Sequence, residues 1–170
     1  MIRVEHVLDS WKAVREDTIA AVEEFPAGEF GYRPTADVMT FGEVARHILQ
    51  AGHGLSGLLL SGEESFATPD FRQKVAAHVP DLPADATPAQ LAAALRDSIG
   101  QRTAELAARP AEFFSQIVTR MDGQRVTRLE MVQMLKEHEM THRAYLFLCM
   151  RMKGLVPATT RRRMAKQAGR

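Results

Sequence analysis

Cysteine is almost missing: Cys149 is the only one among 170 residues. No internal disulfide and no multi-cysteine zinc site can form, which excludes a disulfide scaffold. Aromatic residues make up 6% of the chain, with one Trp. None is interleaved with the basic residues near the C-terminus, so nothing points to base stacking, and nucleic acid is not an expected partner. No apolar run approaches the roughly 20 residues of a membrane span. Glu5, Asp9 and Glu16 interrupt the N-terminal segment, the wrong pattern for a secretory signal. A soluble cytoplasmic protein without membrane contact is expected. Neither a glycine-rich phosphate loop after a strand nor Gly-x-Ser-x-Gly occurs. Nucleotide binding and serine hydrolase chemistry therefore lack support.

What is present is ordinary globular material. Hydrophobic residues make up 45% and charged residues 25%, enough apolar matter to offset the entropy of ordering. The length fits one domain with a real core. The formal net charge is +1, yet the last ten residues hold Arg161, Arg162, Arg163, Lys166 and Arg170 and no acid. The preceding body is thus mildly acidic. The expected division is a folded unit over 1–157 and a basic tail over 158–170, frayed and solvated.

Proline and glycine gather in four connections, and four long segments between them carry helical periodicity. The first spans about 3–25, with Val4, Val7, Leu8, Trp11, Val14, Thr18, Ile19, Val22 and Phe25 on one side and Arg15 inside the same stripe. The second spans about 41–61 and opens on Thr40 and Glu43, a capping box. Gly52, Gly54 and Gly57 weaken that helix unless they permit close contact. The third, about 88–108, has Thr87, Pro88 and Gln90 at its start; the fourth, about 128–153, has Thr127 and Glu130. Phe71 to Val79 reads as a short helix, and 117–126 as a small hairpin around Asp122-Gly123. The fold class is all-α: a four-helix bundle, with a β-hairpin between helices three and four. The long segment 62–87 predicts a crossover connection rather than a tight hairpin.

The chemistry rests on histidine. Six occur: His6, His47, His53, His78, His138 and His142. On the fourth helix Met131, Met134, Leu135, Tyr145, Leu146, Cys149 and Met152 define an apolar stripe, and His138 and His142 project near its centre. Four residues apart, they stack one turn above the other. Two imidazoles so spaced can both direct a nitrogen to one metal ion, although a single inward His is more often an ordinary hydrogen-bonded core residue. His47 can point inward from the second helix, whereas His53 and His6 project outward and His78 lies near a loop. His47, His138 and His142 would form a metal site with open positions, the pattern of a catalytic rather than a closed structural centre. Glu139 and His142 make one Glu-x-x-His, but a di-iron bundle needs a second copy. Cys149 reads as a small core hydrophobe.

The chain resembles the DinB/YfiT-like family of bacterial four-helix bundles. The matching elements are Tyr32-Arg33-Pro34, the run from Thr40 to His47, Thr127-Arg128-Leu129-Glu130-Met131, His138-Glu139-Met140-Thr141-His142-Arg143, and Arg151 with Gly154. Ala144 and Tyr145 stand where the family often has Gly and Gln, and Tyr32 where it often has Trp. The resemblance implies a divalent metal, commonly nickel, zinc or iron. It also implies relatives that act as transferases or isomerases with low-molecular-weight bacterial thiols.

The function expected is a metal-dependent thiol S-transferase acting on a small molecule in stress or detoxification. The alternative is a non-catalytic metal-binding or interaction module of the stress response. Tyr145, one turn beyond His142, would donate a hydrogen bond or proton near the ion, and Arg15 would attract an anionic co-substrate. The histidines should protonate near their ordinary pKa of about 6.5. Leu129, Met140 and Phe147, opposite the histidines, predict a homodimer.

Overall fold

A computed structural model describes residues 3–169. Its helices are α1 (Val4–Glu24), α2 (Phe41–Leu60), α3 (Phe71–Ala76), α4 (Pro88–Ala107), α5 (Ala111–Ser115), α6 (Arg128–Met152) and α7 (Ala158–Ala168). A single 3-10 turn, Ala27–Glu29, follows α1, and strands β1 (Ile117–Thr119) and β2 (Arg125–Thr127) form an antiparallel pair. The three capping boxes all form: the Thr40, Thr87 and Thr127 hydroxyls accept from backbone amides, and Glu43, Gln90 and Glu130 reach back. Each box satisfies helix donors that would otherwise lack a partner. Gly123, at φ +83°, turns the hairpin, and its amide donates to the Arg120 carbonyl at 2.8 Å.

Helices α1, α2, α4 and α6 make the bundle. α1 packs on α4 and α6, and α2 packs on the same two, so α1 and α2 stand diagonally. His53 meets Ser98, and Arg109 just beyond α4 donates to the carbonyl of Leu60 at the end of α2. Both contacts advance in the same direction, so α2 and α4 are parallel. The connection 61–87 must therefore return along the length of the bundle, which is the expected crossover. α6 runs antiparallel to α2, since Tyr145 reaches Met39 and Arg128 reaches Leu59. That pairing brings the middle of α2 beside the middle of α6.

The glycines of α2 do permit close contact. A Cβ at Gly54 would lie 3.0 Å from the Val75 carbonyl of α3, and one at Gly57 would lie 2.6 Å from Arg102 of α4. Apolar residues divide into two clusters, one around Phe25, Phe41 and Leu146, the other around Trp11, Leu59 and Met131. Each such side chain contributes about 1.5–3 kcal/mol by leaving water.

Two expectations change, and the basis of a third narrows. The basic tail is not frayed: residues 158–168 form α7, and Arg161 and Arg162 pair with Glu24 and Asp17 of α1. Opposite charges on α1 give a helix with no buried residue something to dock on. The buried face of α6 is Arg128, Met131, Val132, Leu135, Glu139, Leu146, Cys149 and Met150. At 100° per residue its centre lies about 60° from the histidines, which sit at the edge of the core. Of the residues behind the expected homodimer, Leu129 and Phe147 pack against their own bundle, and only Met140 is left exposed.

Candidate metal centre

His47 comes from α2, and His138 and His142 from successive turns of α6. The Nε2 atoms of His47 and His142 each lie 3.1 Å from Nε2 of His138. All three residues offer ligand atoms within 4.8 Å of one another. Two nitrogens held about 2.0–2.1 Å from one ion stand about 2.8–3.4 Å apart, from right-angled to tetrahedral arrangements. The observed separations fit a shared ion. The donor set fits too, because neutral imidazoles suit zinc, nickel and iron.

Burial keeps the rings neutral. Desolvation lowers the pKa of His47, and lowers that of His142 with help from the charge of His47. His138 is pushed down to about 4, first by burial, then by His142 and His47. The expected protonation near 6.5 therefore moves to more acid pH, and at neutral pH each ring can present a lone pair.

Arg15 requires a correction. It is wholly buried, not facing a co-substrate. Its Nε donates to Glu139 Oε1 at 2.6 Å, its Nη2 to Oε2 at 2.8 Å, and its Nη1 to the Leu95 carbonyl at 3.1 Å. Trp11 Nε1 donates to Oε2 at 2.8 Å and the Thr18 hydroxyl to Oε1 at 2.9 Å. Glu139 thus accepts four hydrogen bonds where the two apolar clusters meet, one residue from His138. A Cβ at Gly52 would lie 2.9 Å from Arg15 Nη2, so that glycine makes the space for the guanidinium. The sequence contained the signal: Arg15 lies inside the stripe of α1, and an inward cation needs a buried anion.

The Tyr145 hydroxyl donates to the Met39 carbonyl at 2.6 Å, just before α2. Its pKa is pushed up to about 12, chiefly by burial, so it keeps its proton. Cys149 is fully buried, and burial raises its thiol pKa. It is a core residue. His53, expected in solvent, is buried and its Nδ1 lies 2.9 Å from the Ser98 hydroxyl. α2 is covered by α4 and α3 as well as by α6, so its side away from the histidines is interior too. His6 is exposed, as its register predicts.

A cavity of about 760 Å³ opens between α2, α3 and α6, with His47 and His138 in its wall. Most of its lining is apolar. The wall supplied by α3 is invisible to helix periodicity, since it depends on where the crossover lies.

The DinB superfamily profile matches residues 10–146, and the chain belongs to that superfamily. Among solved structures it is similar to a DinB-like protein of Bacillus subtilis, at TM-score 0.68 and 19% identity over 88% of this chain and 92% of the other. YfiT from Bacillus subtilis, described as a probable metal-dependent hydrolase with an unusual four-helix bundle topology, gives TM-score 0.68 and 17% identity, covering 91% of each chain. A mycothiol-dependent maleylpyruvate isomerase gives TM-score 0.65 and 18% identity over 85% of this chain and 61% of its own. Comparison with curated proteins finds no match. Among the described residues no helix is long and apolar enough to cross a membrane.

Proposed function

We propose that this chain is a divalent-metal-dependent enzyme that adds a low-molecular-weight thiol to an electrophilic carbon of a largely apolar small molecule, a C–S bond forming as the S–H bond breaks and its proton passes to the adduct. One observation carries the reading: three neutral imidazole nitrogens converge, and two of the three rings form part of the wall of a largely apolar cavity. His47, His138 and His142 would hold the ion, whose identity among nickel, zinc and iron is a matter for metal analysis. When bound, such an ion supplies Lewis acidity, favouring the thiolate of a thiol beside it. The protein's own groups do the rest. Apolar walls exclude water from the reacting thiol. The Tyr145 phenol keeps its proton at neutral pH and donates it in a hydrogen bond to the Met39 carbonyl, so it braces α6 against the start of α2 and acts as neither donor nor base at the ion. Glu139 and Arg15 position α6 and do not touch substrate.

The name of the mycothiol-dependent isomerase supports a thiol partner for this fold. A second reading, hydrolysis with water as nucleophile, is favoured by the description of YfiT. The test incubates metal-loaded protein with a low-molecular-weight thiol and a generic electrophile, beside an activated ester without thiol. Metal-free protein and His142→Ala are the controls. Conjugation by the loaded protein alone is expected. Ester cleavage without thiol conjugation would transfer the lead to hydrolysis. Equal rates in all samples would leave a non-catalytic metal-binding module.

A further inference from the structure

Resting on the reading above, we propose that the cavity binds a linear apolar organic anion, its reactive end at the histidines and its anionic group at Arg72. The volume of about 760 Å³ lies within the usual range for small-molecule sites. Ala51, Leu55, Phe71, Val75, Met121 and Met134 make the walls apolar, and Arg72 is the one lining residue with a fixed charge.

The path of the crossover segment places Arg72 away from the histidines. Val75 and Val79 lie over Gly54, while further along the chain the carbonyls of Leu82, Pro83 and Ala84 accept from Arg46. His78 lies against Gly57, so α3 itself crosses α2 before the chain returns toward Arg46. The first turn of α3 is tied beyond the far end of α2, where Phe71 packs on Phe66 and Lys74 pairs with Glu63 at 2.9 Å, which sets Arg72 toward Leu55, the end remote from His47. Met134, one turn before His138 on α6, lines the same remote half because α6 is antiparallel to α2. Eight residues of helix separate His47 from Leu55, a span of about 12 Å. An extended chain covers that distance in roughly ten bonds.

Arg72 is free to meet an anion. Its side chain is exposed at the cavity and has no hydrogen bond or ion pair among the described residues. The nearby acids Glu63 and Asp70 are both engaged by Lys74, at 2.9 and 3.6 Å. The only other polar groups in the wall are Gln50 and the two imidazoles. A chain without an anionic end would leave the guanidinium unused, and a short polar anion would leave the apolar walls wet.

Calorimetric titration of the full-length metal-loaded protein with decanoate, hexanoate and 1-decanol tests the idea. Decanoate is expected to bind at least about tenfold tighter than hexanoate, since each buried methylene adds roughly fourfold. It should also bind more tightly than decanol. Arg72→Ala should abolish the preference for decanoate over decanol and keep the preference for the longer chain. Arg72→Lys should retain most of both, and Ala51→Phe, which fills the cavity, should weaken all three ligands. Decanoate binding unchanged in Arg72→Ala, or independent of chain length, overturns the proposal. Binding needs no turnover, so decanoate binding as expected without thiol conjugation would support this site and sink the transferase reading. Conjugation with no decanoate binding would do the reverse.

Discussion

Glu139 and His53 carry the sharpest predictions at the scale of single residues. Glu139→Ala leaves Arg15 charged, buried and short of its main partner, which should cost about 3–5 kcal/mol. The double replacement Arg15→Met with Glu139→Leu should cost less than Glu139→Ala alone, because no uncompensated charge remains. Urea midpoints of the three variants decide it. His53 is held neutral, its pKa lowered to about 4 by burial and then by Arg102. In the unfolded chain it titrates near 6.5. Between those values the unfolded state takes up the proton first, so stability falls as pH falls from 6.5 toward 4. Its share at pH 5 should be about 1–2 kcal/mol, and His53→Gln should lose correspondingly less stability than the parent between pH 7 and pH 5. His47→Ala, His138→Ala and His142→Ala should each abolish tight metal binding, read by metal content after dialysis, while His53→Gln keeps its metal. A parent with no metal, or a His47→Ala that retains it, would refute the three-histidine centre. Two members of the triad, His138 and His142, are legible in the sequence because imidazoles four apart on a helix meet whatever the tertiary fold, and His47 joins them because its register on α2 turns it inward. Glu139 and His53 are less so. Their burial depends on which neighbours cover α6 and α2, and periodicity alone reports only one face.

At the scale of elements, the helix starts read cleanly because a capping box is local: a threonine and a carboxylate or amide three residues on settle it. The 61–87 crossover is legible from length. The placement of α3 over α2 is not, since only the three-dimensional path shows that Gly54 and Gly57 meet α3 and α4. α7 escapes prediction because its docking is ionic and lacks an apolar stripe. Two glycine replacements separate propensity from packing. Gly100 lies exposed in α4 with open space where a Cβ would go, so Gly100→Ala should stabilise by about 0.5–1 kcal/mol. Gly52→Ala enjoys the same propensity gain, but its Cβ meets a guanidinium fixed by Glu139. It should destabilise despite the better helix former. Chemical denaturation of both variants checks the contrast, and a Gly52→Ala protein as stable as Gly100→Ala would show that the Arg15 pair yields easily.

The whole molecule places its site in the bundle's middle and its loosest attachment at the C-terminal end. The metal centre depends on α2 and α6 lying antiparallel, with Glu139 fixing the face of α6; among the described residues no side-chain hydrogen bond or ion pair of α7 reaches α2, and α7 contributes nothing to the cavity wall. α7 is held to the bundle by Arg161 with Glu24, whose contacts are 2.9 and 2.5 Å, and by Arg162 with Asp17, a residue that also receives Arg143 at 3.0 Å. Arg151 adds one hydrogen bond to Thr160 at 2.8 Å. The arginine of each pair is exposed even though Asp17 is not, and pairs so open to solvent are worth about 0–1 kcal/mol each. Asp17 keeps Arg143 when α7 is gone, so no buried charge is stranded. Deleting residues 158–170 should therefore cost no more than about 2 kcal/mol on that scale, leave the helical content of residues 3–157 intact and leave metal content unchanged. Salt screens such pairs, so the stability gap between full-length and shortened protein should narrow as ionic strength rises. Parallel urea titrations at low and high salt measure it. Loss of metal on truncation would mean that α7 supports the site through α1 and the Arg15–Glu139 pair. In that case Asp17→Asn, which removes the negative charge that both arginines pair with, should lower metal affinity in the full-length chain as well.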